Sequence, residues 1–272
     1  MTEPQSFGGA SAPNIELAQH PGGIRTITIN NPGRRNALTR AMCIGLAQAA
    51  DAVANDPAAR VVILRGAGDS AFCSGADIGE FESLRATREQ ADEFNALIDA
   101  AFKGVLDLEV PVIAVIHGYC VGGGMALALM CDLRFMEPSG KIGIPAGKLG
   151  IAYSPDWLKR LVDVVGEHAA KRLMFTSELF TADVAARWDF ATELVDKQEL
   201  DATVAEVARR SAALAPLSLR AAKAAIRAST EVRDDDRWEK AHELARLCDE
   251  SDDYRRGYQA FRDRTQPVFE GK

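Results

Sequence analysis

Two glycine-containing loops hold the residues best suited to chemistry. The first is "AFCSGADIGEF" (71–81), where Gly75 and Ala76 precede Asp77 and Glu80. The second is "HGYCVGGGMALALMCD" (117–132), where Gly122, Gly123 and Gly124 lead into an apolar segment with helical character. Small residues at a strand-to-helix turn let a ligand come within hydrogen-bonding distance of the main chain, and a helix start carries N–H groups with no intrahelical acceptor. Two such amides, one near Ala76 and one in the glycine turn, are what a carbonyl oxygen needs as it becomes an oxyanion. The triple glycine alone also reads as a tight turn between packed elements, and its spacing matches neither the dinucleotide fingerprint nor the phosphate loop. Asp77 and Glu80, three residues apart, fit a helix capping box, which accounts for the acidic pair without catalysis.

Other reactive side chains are scattered. His117 ends the strand that enters the glycine loop, where a base could stand, but it precedes the glycines by five residues and is expected to point into packing. Lys148 reads equally as a phosphate contact or a solvated cation. Cys43, Cys73, Cys120, Cys131 and Cys248 lack metal-ligand spacing and read as small apolar fillers, and an odd count suits reduced thiols better than a disulfide framework. His20, His168 and His242 show no ligand pattern, so no metal site is expected.

The elements that must position these loops alternate along the chain. "IRTITIN" (24–30) and "VVILRG" (61–66) read as strands, and between them Leu38, Met42, Leu46, Ala49 and Val53 fall on one helical stripe. The unit recurs, with "PVIAVIHG" (111–118) as strand, the glycines as turn, "MALALMCD" as helix and "LRFME" (133–137) as the next strand. Beyond about residue 155 the strand signal fades and Ala/Arg/Glu-rich stretches suggest helices to the end. An α/β core with a helical tail follows. The 272 residues are 47% hydrophobic, enough for a substantial core. A net charge of −7 offers no field for a phosphate backbone, so no nucleic-acid partner is expected. No run approaches the ~20 apolar residues of a membrane span. The polar, Gly/Ser/Pro-rich start "MTEPQSFGGASAPN" reads as a disordered leader rather than a signal peptide, and a cytoplasmic protein is expected.

Taken together, "NNPGRRNAL", "AFCSGADI", "VIHGYCVGGGMALALMCDLR", "IGIPAGKLGI" and "DDYRRGYQAFRDRTQPVFEGK" resemble the enoyl-CoA hydratase/isomerase, or crotonase, superfamily over roughly residues 15–272. The resemblance implies a spiral of ββα turns over residues 15–205, a helical association region over 206–272, and homotrimers or dimers of trimers. It implies an enzyme, lyase or isomerase, in fatty-acid or related lipid metabolism. Coenzyme A thioesters enter as substrate or ligand, with no separate cofactor. The oxyanion hole is carried over to the amides of Ala76 and Gly123, and the coenzyme A moiety to Arg34, Arg35, Ala37, Ala76, Asp77, Ile78, Phe261 and Arg264, the last two lying where a neighbouring subunit's tail can reach that moiety. The resemblance also exposes a departure. Family hydratases place glutamates where this chain has Ala126 and Ala146, and alanine moves no proton. In "KLGIAYSPDWLKRL" (148–161), Tyr153, Ser154 and Asp156 then lie near the expected acyl group. Tyr153 matches a tyrosine of family decarboxylases or is a pocket aromatic; Asp156 is a catalytic candidate or opens the helix from Trp157. The readings left open are an acyl-CoA enzyme that stabilises an enolate, a decarboxylase-like crotonase using Tyr153, and an acyl-CoA-binding protein without catalysis.

Overall fold

The computed structural model describes residues 4–214, 216–230, 250–265 and 267. Its strands are β1 (Gln5–Phe7), β2 (Asn14–Gln19), β3 (Ile24–Asn30), β4 (Val61–Gly66), β5 (Ala71–Cys73), β6 (Val112–Ile116), β7 (Tyr119–Val121), β8 (Leu133–Met136), β9 (Lys141–Gly143), β10 (Leu179–Thr181) and β11 (Glu193–Leu194). The α-helices are α1 (Arg40–Ala54), α2 (Phe81–Leu84), α3 (Arg88–Leu106), α4 (Gly123–Leu129), α5 (Ala146–Leu149), α6 (Pro155–Thr176), α7 (Ala182–Arg187), α8 (Leu200–Ala212), α9 (Pro216–Thr230) and α10 (Asp252–Asp263).

The strands divide between two sheets. One runs β1-β2-β3-β4-β6-β8-β11 and the other β10-β9-β7-β5. From β4 onward the chain places one strand in the large sheet and the next in the small sheet, then a helix: β4-β5 before α2 and α3, β6-β7 before α4, β8-β9 before α5 and α6. This is a spiral of ββα turns, and β3-β4-β6-β8 pair in parallel because each helix returns the chain to the same end. β3 alternates buried and half-buried residues, whereas every residue of β6 is buried. A central strand covered on both faces has no polar side to show, so "VIAVI" is continuously apolar.

Several expectations change on folding. Within the expected disordered leader, β1 pairs antiparallel with β2. It also lies against α1, where a Cβ on Gly45 would stand 2.9 Å from the Phe7 carbonyl carbon. Two strands, β10 and β11, occur past residue 155, each too short for its periodicity to register. The expected boundary at residue 205 falls inside α8, whose Leu200, Val204 and Ala208 pack with Val61, Ile113 and Val115 of the large sheet. The capping box is also redistributed. Asp77 caps its own short turn by accepting from the Gly79 N–H, but Glu80 accepts from the Arg40 N–H, capping α1 instead. A reciprocal box forms at Thr87 and Gln90, opening α3. No helix among the described residues is long and apolar enough to cross a membrane.

Candidate active site

The 34–38 segment and the 74–77 loop are laced together by main-chain hydrogen bonds from Ser74 to Arg35, Leu38 to Gly75 and Asp77 to Leu38. In the parallel bridge between Leu38 and Ala76, the bonded groups on the second strand belong to Gly75 and Asp77. Ala76's own N–H therefore faces away from the bridge. Gly123 is the first residue of α4, so its N–H has no acceptor within the helix. The two loops touch: a Cβ on Gly123 would stand 3.4 Å from the Gly75 Cα and 3.7 Å from the Ala76 nitrogen. Gly75, at φ 96°, holds a backbone conformation that L side chains rarely adopt, and a Cβ there would stand 3.1 Å from the Gly123 nitrogen. Both glycines serve this approach.

Ala76 and Gly123 line a cavity of about 380 Å³. Leu38, Ile78, Phe94, Ile98 and Trp157 contribute apolar wall, and Arg85, Asp92, Asn95, Asp99 and Ser154 contribute polar groups. Two closely spaced loop amides beside a largely apolar cavity can polarise a carbonyl oxygen and stabilise it as an oxyanion.

The remaining candidates separate. Tyr153 lines the cavity and donates its hydroxyl to the Gly122 carbonyl oxygen at 3.1 Å. Burial pushes this phenol well above its ordinary range, so it remains a neutral donor. Its ring meets Trp157 edge-on at 5.2 Å between centroids. Asp156 is exposed in the first turn of α6 and lies outside the cavity wall. Ala146 contributes its methyl group to the wall, whereas Ala126 is fully buried in the core and does not.

Arg34 pairs with Asp77 at 2.9 Å beside the Ala76 loop. Arg35 stacks over the Tyr119 ring at 4.7 Å. Both are exposed, Ala37 and Asp77 are buried, and Ile78 alone of this group reaches the cavity apart from Ala76. Phe261 and Arg264 belong to the end of α10, which packs within the same chain over the cavity's rim: Tyr258 stacks on Phe81 at 6.4 Å and Tyr254 lies 5.4 Å from the Arg85 guanidinium. Phe261 is exposed and Arg264 caps the helix.

His117 sits apart from the cavity. It is buried, its Nδ1 lies 3.0 Å from Glu137 and its Nε2 3.4 Å from Asp201 of α8. Burial acts to raise the Glu137 pKa, but bonds from Ser139, His117 and the Gly118 N–H outweigh it and hold the carboxyl below its ordinary range. Lys148 is exposed. Cys43, Cys73 and Cys131 are buried thiols pushed up to about 12, inert as nucleophiles at neutral pH, and Cys248 lies outside the described residues.

Sequence reasoning missed the polar row on α3. Asp92, Asn95 and Asp99 occur at i, i+3 and i+7, one stripe beside the apolar stripe of Phe94, Ile98 and Phe102. Their position at the border of the apolar face was a weak signal, because such a border usually faces solvent.

Residues 19–272 match the enoyl-CoA hydratase/isomerase family. The chain is 32% identical to a crotonyl-CoA hydratase of Syntrophomonas wolfei over 249 residues, covering 92% of this chain and 95% of the relative. Among solved structures, an enoyl-CoA hydratase/carnithine racemase from Magnetospirillum magneticum superposes with TM-score 0.78 at 39% identity, covering 95% of this chain and 96% of the other. A methylmalonyl-CoA decarboxylase in complex with 2-nitronate-propionyl-CoA superposes with TM-score 0.86 at 23% identity over 95% of this chain and 98% of its own, a likeness of fold. With its two loops of small residues, its ββα spiral and a match spanning nearly the whole sequence, the chain belongs to the enoyl-CoA hydratase/isomerase family of enzymes.

Proposed function

We propose that the protein binds a coenzyme A thioester with the acyl carbonyl oxygen between the amides of Ala76 and Gly123 and stabilises the enolate formed there. The observation that carries this reading is the approach of the two loops, whose Ala76 N–H is not used in the bridge to Leu38, whose Gly123 N–H has no acceptor within the helix, and whose residues both line the cavity. Donors fixed before the reaction begins act on charge as it develops, and removing one such donor typically costs ~10²- to 10³-fold in rate. Arg34 and Arg35, beside the Ala76 loop, supply positive charge for the coenzyme A moiety, with Ala37, Asp77 and Ile78 forming the loop they border. Phe261 and Arg264 extend that surface toward a neighbouring subunit. Tyr153 acts on the glycine turn, holding the Gly122 carbonyl and with it the direction of the next amide.

The family hydratase positions held by Ala126 and Ala146 carry no proton-transfer group, so slow or absent hydration of crotonyl-CoA is expected. Ala146 presenting a methyl group to the cavity favours a second reading, acyl-CoA binding without turnover. Assembly as a homotrimer or a dimer of trimers is part of the proposal, supported by the exposed Phe175 and Leu179.

Calorimetry with a series of acyl-CoAs is the test of binding, and a bound enoyl-CoA should show its thioester carbonyl stretch moved to lower wavenumber. No heat with any acyl-CoA, or an unshifted carbonyl, would overturn the reading. A crotonyl-CoA hydration rate at or above ~10 s⁻¹ would remove the expectation of an idle hydratase site.

A further inference from the structure

One buried amide ties the neighbourhood of the Ala76 loop to the ends of three strands. Asn36 is fully buried, and its φ of 56° lies in the left-handed region, which asparagine tolerates better than most residues. Both polar atoms of its side chain bond main chain. Oδ1 accepts from the Asn31 N–H at 3.0 Å, while Nδ2 donates to the Ala67 carbonyl at 3.0 Å and to the Ala71 carbonyl at 2.7 Å. Its own N–H donates to the Asn31 carbonyl at 2.8 Å. Asn31 follows β3, Ala67 follows β4 and Ala71 opens β5. Gly66 makes room for the group, since a Cβ there would stand 2.4 Å from Nδ2.

The segment that Asn36 anchors is the one laced to the Ala76 loop. Two residues after Asn36, Leu38 donates to the Gly75 carbonyl and accepts from the Asp77 N–H, each at 2.8 Å; one residue before it, the Arg35 carbonyl accepts from the Ser74 N–H at 3.1 Å. Ala76 stands between these bonded residues, so the direction of its N–H follows from where the 35–38 segment lies. Through Ala71, Asn36 also grips the start of the strand from which the loop departs. Resting on the oxyanion reading above, we propose that Asn36 is a positioning residue, which fixes the 35–38 segment against the start of β5 and thereby aims the Ala76 N–H at the thioester oxygen. It lies outside the cavity lining and moves no proton. Its effect is geometric, and a misplacement of ~1 Å can cost about 10²-fold in rate.

The experiment compares the unmodified protein with Asn36→Gly and Arg25→Met, in the cold, where a weakened variant stays folded. Asn36→Gly keeps the left-handed backbone and loses all three side-chain bonds. Arg25→Met breaks a buried pair with Asp56 at the opposite end of β3, and so reports what loss of stability alone does. Three quantities are read: the carbonyl stretch of bound crotonyl-CoA, its affinity by calorimetry, and α-proton exchange of bound butanoyl-CoA. Both variants should melt earlier. Only Asn36→Gly should move the carbonyl stretch back toward that of free crotonyl-CoA and slow exchange by ~10- to 100-fold, with affinity changed by less than about threefold, because the loss falls on the transition state. Should Asn36→Gly not fold, Asn36→Ser, which keeps a hydroxyl in place of the amide, takes its place with the same readouts. A folded Asn36 variant with the parent's carbonyl stretch and exchange rate would overturn the proposal and leave the oxyanion reading standing. So would an equal shift in Arg25→Met. An unshifted carbonyl in the unmodified protein would sink the oxyanion reading, and this inference with it.

Discussion

Two parts of the cavity lining differ in kind: Gly75, Ala76, Gly122 and Gly123 belong to the loops of small residues, whereas Asp92, Asn95 and Asp99 belong to one helix, α3. The first part admits almost no change. A Cβ on Gly124 would fall 2.1 Å from the Cys73 carbonyl oxygen, and Gly75 combines a positive φ with close approach to Gly123. The second part stands on one face of a helix whose backbone bonds do not depend on which side chains it carries. The loop part is therefore a property of how two ββα turns pack, whereas the helix part can be rewritten without disturbing the spiral.

The sharpest way to break this division is substitution at the glycines. Gly124→Ala forces backbone apart in a packed core and should cost about 3 kcal/mol or more in denaturant unfolding. Gly75→Ala should lower enolate formation, read as exchange of the α-proton of a bound acyl-CoA, by ~100-fold or more, because its methyl group crowds an oxyanion donor. Asp92→Asn, at an exposed position paired only at the surface with Arg88, should leave unfolding within about 0.5 kcal/mol of the parent. If Asp92→Asn destabilised as much as Gly124→Ala, the loops and α3 would not be independent.

A smaller effect concerns acid. Glu137 accepts from the Gly118 N–H, at the turn from β6 into β7 that leads to the glycine loop. Its folded pKa lies below the ordinary 4.5, so its contribution is present above that value and lost as pH falls through the folded pKa. Glu137→Gln should cost ~1.5–3 kcal/mol at neutral pH, the worth of bonds to a charged acceptor. It should also flatten the loss of melting temperature below pH 4.5, and an unchanged acid slope would remove Glu137 from the account.

A smaller effect than that of Glu137 lies at the glycine turn. Tyr153→Phe removes one bond to the Gly122 carbonyl, which still accepts from the Ala126 N–H at 3.1 Å, so about 1 kcal/mol of stability should go. Loss of α-proton exchange without loss of acyl-CoA affinity in this variant would promote Tyr153 from positioning residue to catalytic residue.

The sequence alone determined the long periodic elements. β3 and β4 match "IRTITIN" and "VVILRG" residue for residue, and α1 and β8 follow their apolar stripes to within a few positions, because burial of one face imposes a period on any element long enough to show it. The two loops of small residues were legible for the same local reason: only residues without bulk let backbone approach backbone. Tertiary structure decided what depends on partners distant in the chain. β1 is a strand because β2 and α1 offer it a place, although its own composition is that of a loop. Glu80 caps a helix that begins forty residues before it, and no local pattern encodes that choice. Asp99 and Asn95 have the spacing of a solvated helix flank; they line a cavity because the loops after β5 and β7, and α6 with Trp157, close over that flank. Periodicity reports which face of a helix is apolar, but what stands opposite the polar border is fixed only when distant segments pack.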